Sequence, residues 1–168
     1  MFEFAIDALH ASLDVSNGLG LRTSMNCAGT LASLGKTLRR ARKYEDALSA
    51  VQESVSIHQK LGLKRSVNYA LSLRIKGEVL QVMNNHKDAM DAFHESLNVF
   101  EVLGMRSSLN CASTLLAKGG ELANKGQGED AVCALQEGLG IYDKLGIRMC
   151  ELRAYSLWPP RKLVSKHE

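Results

Sequence analysis

The stretch AGTLASLGKTLRRARK, residues 28–43, sets Gly29, Gly35, Lys36 and Thr37 in an order that invites comparison with a phosphate-cradling loop. Such a loop needs four residues between its two Gly, so that backbone N–H groups converge on phosphate before the Lys. Here five intervene, and no strand-like run leads in. Cys27, Cys111, Cys133 and Cys150 show no C-x-x-C spacing and no His at a zinc interval, so neither metal nor cofactor is expected. No H-E-x-x-H, Ser/His/Asp order or supported carboxylate pair occurs, and His58, His86 and His167 stand alone, as surface or packing residues do. Two features remain. One is the basic run Lys36, Arg39, Arg40, Arg42 and Lys43, which reads as a solvated helix end facing the acidic start of the next helix. Its functional alternative is a patch for an acidic peptide, a tubulin-like surface or nucleic acid, although no aromatic residues interleave for base stacking. The other is the set Asn26, Asn68 and Asn110. It could hold the backbone of an extended partner or tie loop carbonyls between neighbouring segments, and the second is what Asn does at helix starts.

The elements that position these residues are helical. The chain has 168 residues, 45% apolar and 23% charged, enough for one domain with a real core. Its two Pro are adjacent at 159 and 160, and the rest is rich in helix-tolerant residues. No run long enough to span a membrane is visible, and the acidic N-terminus does not read as an export signal. A net charge of +3 argues only weakly for nucleic acid, which is not the expected partner.

A search for internal repeats resolves the opening comparison. Leu-Gly recurs at 19–20, 61–62, 103–104 and 145–146, a step of 42 residues. The same step relates Ala5, Ala47, Ala89 and Ala131; Leu9, Val51, Phe93 and Leu135; Leu13, Val55, Leu97 and Leu139; and Ala28, Ala70, Ala112 and Ala154. Gly35 belongs to such a column with Gly77 and Gly119, whereas the next position changes from Lys36 to Glu78 to Gly120. A phosphate site would need the Lys; a helix crossing needs only the Gly. His10 and His94 share a column, as do Glu53, Glu95 and Glu137, which marks them as structural.

Each period reads as two helices. Met25, Ala28, Leu31, Leu34, Gly35 and Leu38 form one apolar stripe, with Ser24, Ser66 and Ser108 as N-caps. The second helix begins near Tyr44 and turns Ala47, Leu48, Val51, Val55 and Leu61 inward. Acidic residues open it and Gly62 and its equivalents end it. LASLGKTLRRARKYEDALSAVQESV resembles a tetratricopeptide repeat, through Leu34, Gly35 and Leu38, then Tyr44 and Ala47, then Val51 and Ser54. Segments carrying Ala89 with Phe93 and Ala131 with Leu135 match likewise. The lengthened period is similar to the kinesin light chain type, without its asparagine-rich first-helix motif. The resemblance implies an all-α superhelix, a solenoid of about seven antiparallel helices. It consists of a half repeat 1–22, repeats 23–64, 65–106 and 107–148, a truncated helix 149–158 broken by Pro159-Pro160, and a tail 159–168.

The function implied is a non-enzymatic scaffold that binds another protein or peptide through its concave groove or its exposed ends, with no small-molecule substrate. In the family register the groove displays Lys36, Arg39, Arg74, Glu78 and Gln81, with Leu71 and Leu116 as apolar anchors. Arg40 and the Asn ladder of Asn26, Asn68 and Asn110 lie close by. Ala32, Arg74 and Leu116 in one inner column, with Lys36, Glu78 and Gly120 in another, depart from the carboxylate clamp of chaperone-binding relatives. Two alternatives accompany this reading: a structural subunit of a ciliary, cytoskeletal or organellar assembly, and nucleic-acid binding through residues 36–43. An apolar N-terminal edge suits a fragment of a longer array or a neighbouring chain. Buried thiols at Cys27 and Cys111 suit a reducing, cytoplasmic setting.

Overall fold

A computed structural model describes residues 2–147 as seven helices. They are α1 (Phe2–Gly18), α2 (Met25–Arg40), α3 (Tyr44–Lys60), α4 (Val67–Val82), α5 (His86–Val102), α6 (Leu109–Asn124) and α7 (Gly128–Lys144). No strand occurs among the described residues, and the fold is an all-α superhelix. Adding 42 to either end of α1, α2, α3, α4 or α5 gives the same end of the corresponding later helix. The truncated helix expected over 149–158 and the tail 159–168 lie outside the described residues.

Local chemistry explains why the ends repeat. Ser24, Ser66 and Ser108 are extended, and their hydroxyls accept from the N–H of Cys27 (3.1 Å), Tyr69 (3.2 Å) and Cys111 (3.2 Å). At the far ends of α1, α3, α5 and α7, Gly20, Gly62, Gly104 and Gly146 take φ between 67° and 72°, where a side chain would strain the backbone. The turns inside the three hairpins use the same left-handed conformation at Arg42, Asn84 and Gly126.

Successive hairpins α2–α3, α4–α5 and α6–α7 close on small residues. Ala28, Ala70, Ala112, Ala47, Ala89 and Ala131 are all fully buried. A Cβ on Gly35 would run into Val51, one on Gly77 would stand 2.6 Å from the Phe93 ring, and one on Gly119 would stand 2.7 Å from Leu135. The glycine of the phosphate-loop comparison is therefore a helix crossing point. Ser54 and Ser96 donate across their hairpins to the carbonyls of Ala28 (2.7 Å) and Ala70 (2.8 Å). In the third hairpin Gly138 takes that column, and a Cβ there would lie 3.1 Å from the carbonyl of Ala112. Two expected inward positions face out: Met25 is 48% exposed and Leu61 43%.

The first helices α2, α4 and α6 touch in sequence, whereas no two of the second helices α1, α3, α5 and α7 meet. A stack that is tight along one row and open along the other has the first row on its inner side.

Candidate protein-binding surface

The inner row carries most of the residues singled out above. Glu78 on α4 is buried and lies between two guanidinium groups. Arg39 of α2 reaches its Oε2 at 2.9 Å, and Arg74, one turn back on α4, holds its Oε1. The Nε atoms of both Arg are buried without a partner. A carboxylate so enclosed is stabilised by two cations, and the trio retains one positive charge. This corrects the expected groove: Glu78 is not displayed to a partner, and Arg39 and Arg74 are mostly committed to it, their side chains only 14% and 13% exposed.

The basic run is dispersed as well. Arg40 lies over the Phe2 ring, 5.4 Å from its centroid, and Lys43 pairs with Glu3 at 3.2 Å. The acids it meets are thus on α1 and α4, rather than the expected Glu45 and Asp46 at the start of α3. Lys36 remains exposed in the column of Glu78. Gln81 lies beside Gly120, its Nε2 being 3.7 Å from where a Cβ would stand there, and so repeats the reach of Arg39 one hairpin later. Leu71 and Leu116 are half-buried, packed on the core. Leu116 leans toward α7, 3.1 Å from a Cβ placed on Gly138, which leaves it a smaller anchor than expected.

Asn26 and Asn68 are exposed and Asn110 is half-exposed. Their side chains make no hydrogen bond among the described residues. Instead their backbone carbonyls accept from Thr30 (3.1 Å), Ser72 (2.9 Å) and Thr114 (2.9 Å), so the expected tie to loop carbonyls is not made. The ladder is left displayed at the start of each first helix.

Several interactions escaped sequence reasoning. The Glu column at 53, 95 and 137 ties each second helix to the start of its own hairpin's first helix: Arg22 forks onto Glu53 at 2.9 and 3.0 Å, the Tyr69 hydroxyl donates to Glu95 at 2.6 Å, and Arg106 donates to Glu137 at 2.7 Å. Where the first helix carries Cys27 or Cys111 an Arg supplies the donor, and where it carries Tyr69 the phenol does. The exchange was visible as Arg22, Lys64 and Arg106 in one column against Cys27, Tyr69 and Cys111 in another. The small Cys111 leaves a recess of about 230 Å3 between α5 and α7, lined by residues including His94, Arg106, Lys118 and Glu137. Burial pushes the Cys111 thiol pKa up and that of His94 down, the latter with help from Lys118. A thiol held protonated is a poor nucleophile, and a His held neutral does not assist it as a cation. The solitary His86 also has a partner, its Nδ1 lying 2.6 Å from the buried carboxylate of Glu121. His58 is buried and donates from Nδ1 to the carbonyl of Ser54.

No family model matches the chain, and no curated protein matches it. Among solved structures it is similar to BtubC (BKLC) from P. vanneervenii, with a TM-score of 0.76 at 18% sequence identity. The match covers 99% of this chain and 64% of BtubC, so the chain spans less than two thirds of that protein's length. The likeness shows a helical repeat fold. No helix among the described residues is long and apolar enough to cross a membrane.

Proposed function

We propose that the chain is a non-enzymatic adaptor, a tetratricopeptide array of the lengthened kinesin light chain type, that holds a segment of another protein along the row formed by α2, α4 and α6. One observation carries this reading. Buried columns repeat from hairpin to hairpin (Ala28, Ala70 and Ala112; Gly35, Gly77 and Gly119), while inner-face columns vary (Ala32, Arg74 and Leu116; Arg39, Gln81 and Ala123), and exposed Lys36 and half-exposed Gly120 stand where the middle hairpin buries Glu78. Constant packing beneath variable display is what recognition on a repeated scaffold requires. The mixed polar and apolar surface suits an extended peptide or an amphipathic helix. Buried thiols at Cys27 and Cys111 agree with residence in a reducing compartment, and we place the protein in the cytoplasm.

Photocrosslinking in native extract tests the reading. A photoreactive residue at position 36 or 81 is expected to capture the same protein, and one at Gln136 on the outer helix α7 to miss it. Capture from Gln136 with none from positions 36 and 81 would reject the groove. A second reading, a subunit packed into a larger assembly, is favoured by the exposed apolar side chains of α1, Phe4 at 83% and Val15 at 62%. Nucleic-acid binding is disfavoured because Arg39, Arg40 and Lys43 are engaged within the molecule. Retention on heparin with a steep salt dependence would reverse that judgement.

A further inference from the structure

The middle hairpin shows what fills the space between two second helices. Tyr69, at the start of α4, is fully buried. Its hydroxyl accepts from Nε2 of Gln59 on α3 at 3.1 Å and donates to Glu95 on α5 at 2.6 Å. The phenol thus ends between α3 and α5, two helices that do not meet. One step of 42 residues on, the column holds Cys111, and the space a ring would take is the recess of about 230 Å3 between α5 and α7. Leu97 and Leu115 give it apolar walls, and Cys111 is buried beneath it. The volume exceeds the roughly 150 Å3 in which an engineered apolar cavity holds benzene.

The polar end of the recess matches as well. Glu137 is the counterpart of Glu95, which accepts the Tyr69 proton. The column of Gln59 now holds Glu101, which offers no donor when ionised. Arg106 replaces that donor: it reaches from Glu101 at 3.3 Å to Glu137 at 2.7 Å and so spans the recess from α5 to α7. A phenol entering beneath it finds an N–H to accept from and a carboxylate to donate to, the same pair that holds Tyr69. The first hairpin has Cys27 in this column, but there Arg22 spends two nitrogens on Glu53 alone. From the recess a second hollow of about 550 Å3 runs along α6 past Leu122 to Lys125, sharing His94, Leu115 and Lys118, with room for the chain that flanks an inserted ring. We propose that the recess over Cys111 receives one tyrosine side chain of a partner protein, in the place that Tyr69 fills from within one hairpin earlier. The site opens between second helices, away from the inner row, and does not depend on what that row binds.

NMR titration of the 168-residue chain with p-cresol, the side chain of tyrosine, tests the proposal. The amide signals of Leu97, Cys111 and Leu115 are expected to move with a Kd on the order of 1 mM, and toluene to bind at least about fivefold more weakly for want of the hydroxyl. Cys111→Tyr fills the recess from within and should weaken p-cresol at least about tenfold. Glu137→Leu, at an exposed position, keeps the recess but removes the acceptor, and should bring p-cresol down to the level of toluene. The peptide acetyl-Gly-Gly-Tyr-Gly-Gly-amide should move the same signals as p-cresol. No shift with p-cresol up to about 20 mM, shifts that survive Cys111→Tyr, equal affinity for p-cresol and toluene, or a peptide that leaves these signals in place would each overturn the proposal.

Discussion

Glu78 sits between Arg39 and Arg74, and that placement decides which charges a partner meets. Removing the carboxylate alone strands two cations at a mostly buried site, so Glu78→Leu is expected to lower stability by about 3 kcal/mol. Combining it with Arg39→Met and Arg74→Met should recover that loss to within about 1 kcal/mol, because the enclosed charge is then gone. Chemical denaturation of the two variants checks the difference. The membership of Glu78 in an inner column was legible in the sequence; its burial was not, because it depends on how closely α4 approaches α2. Tyr69 illustrates the same limit. Burial, and next its bond to Glu95, push the phenol above its usual pKa near 10. A pKa raised in the folded state contributes stability that is whole below pH 10 and is lost as pH rises through the folded value. Denaturant unfolding should accordingly show an alkaline decline that Tyr69→Phe reduces, with that variant about 1 kcal/mol less stable at neutral pH. Equal alkaline declines in both proteins would contradict the assignment.

At the scale of elements, nearly everything local was readable. Serine caps, acidic first turns and left-handed Gly end the helices where the 42-residue step places them, since each signal acts within a turn or two of chain. Side-chain contacts across a hairpin were not readable in the same way. Arg22 and Arg106 reach 31 residues forward to Glu53 and Glu137, and Tyr69 reaches 26 to Glu95; a column of Glu identifies the acceptor without naming its donor. The glycine column is the element-level prediction with the sharpest consequence. Phe93 is fully buried and cannot retreat from a new methyl group 2.6 Å away, so Gly77→Ala should cost at least about 2 kcal/mol although Ala favours helix. Thermal melts of Gly77→Ala beside Gly120→Ala, where nothing but the Gln81 amide comes within 4 Å, separate packing from propensity. Equal melting temperatures would mean that the crossing is looser than described.

For the whole molecule, the repeat makes each hairpin a module that recognises its neighbours through the same columns, while the inner row and the recess over Cys111 carry what is particular to this chain. Sequence periodicity revealed the module because its core positions repeat; it said less about the surface, where function resides and where residues are free to differ. The claim on which the proposed function rests is that hairpins are interchangeable in register. Deleting residues 65–106 removes α4 and α5 and joins α3 to α6 at the same phase, bringing Ser54 toward Thr114 in place of Ser72. Circular dichroism of the shortened chain is the direct measurement. Unchanged helicity per residue and a single cooperative melt at lower temperature are predicted, whereas loss of helix or of cooperativity would contradict a stack of equivalent hairpins.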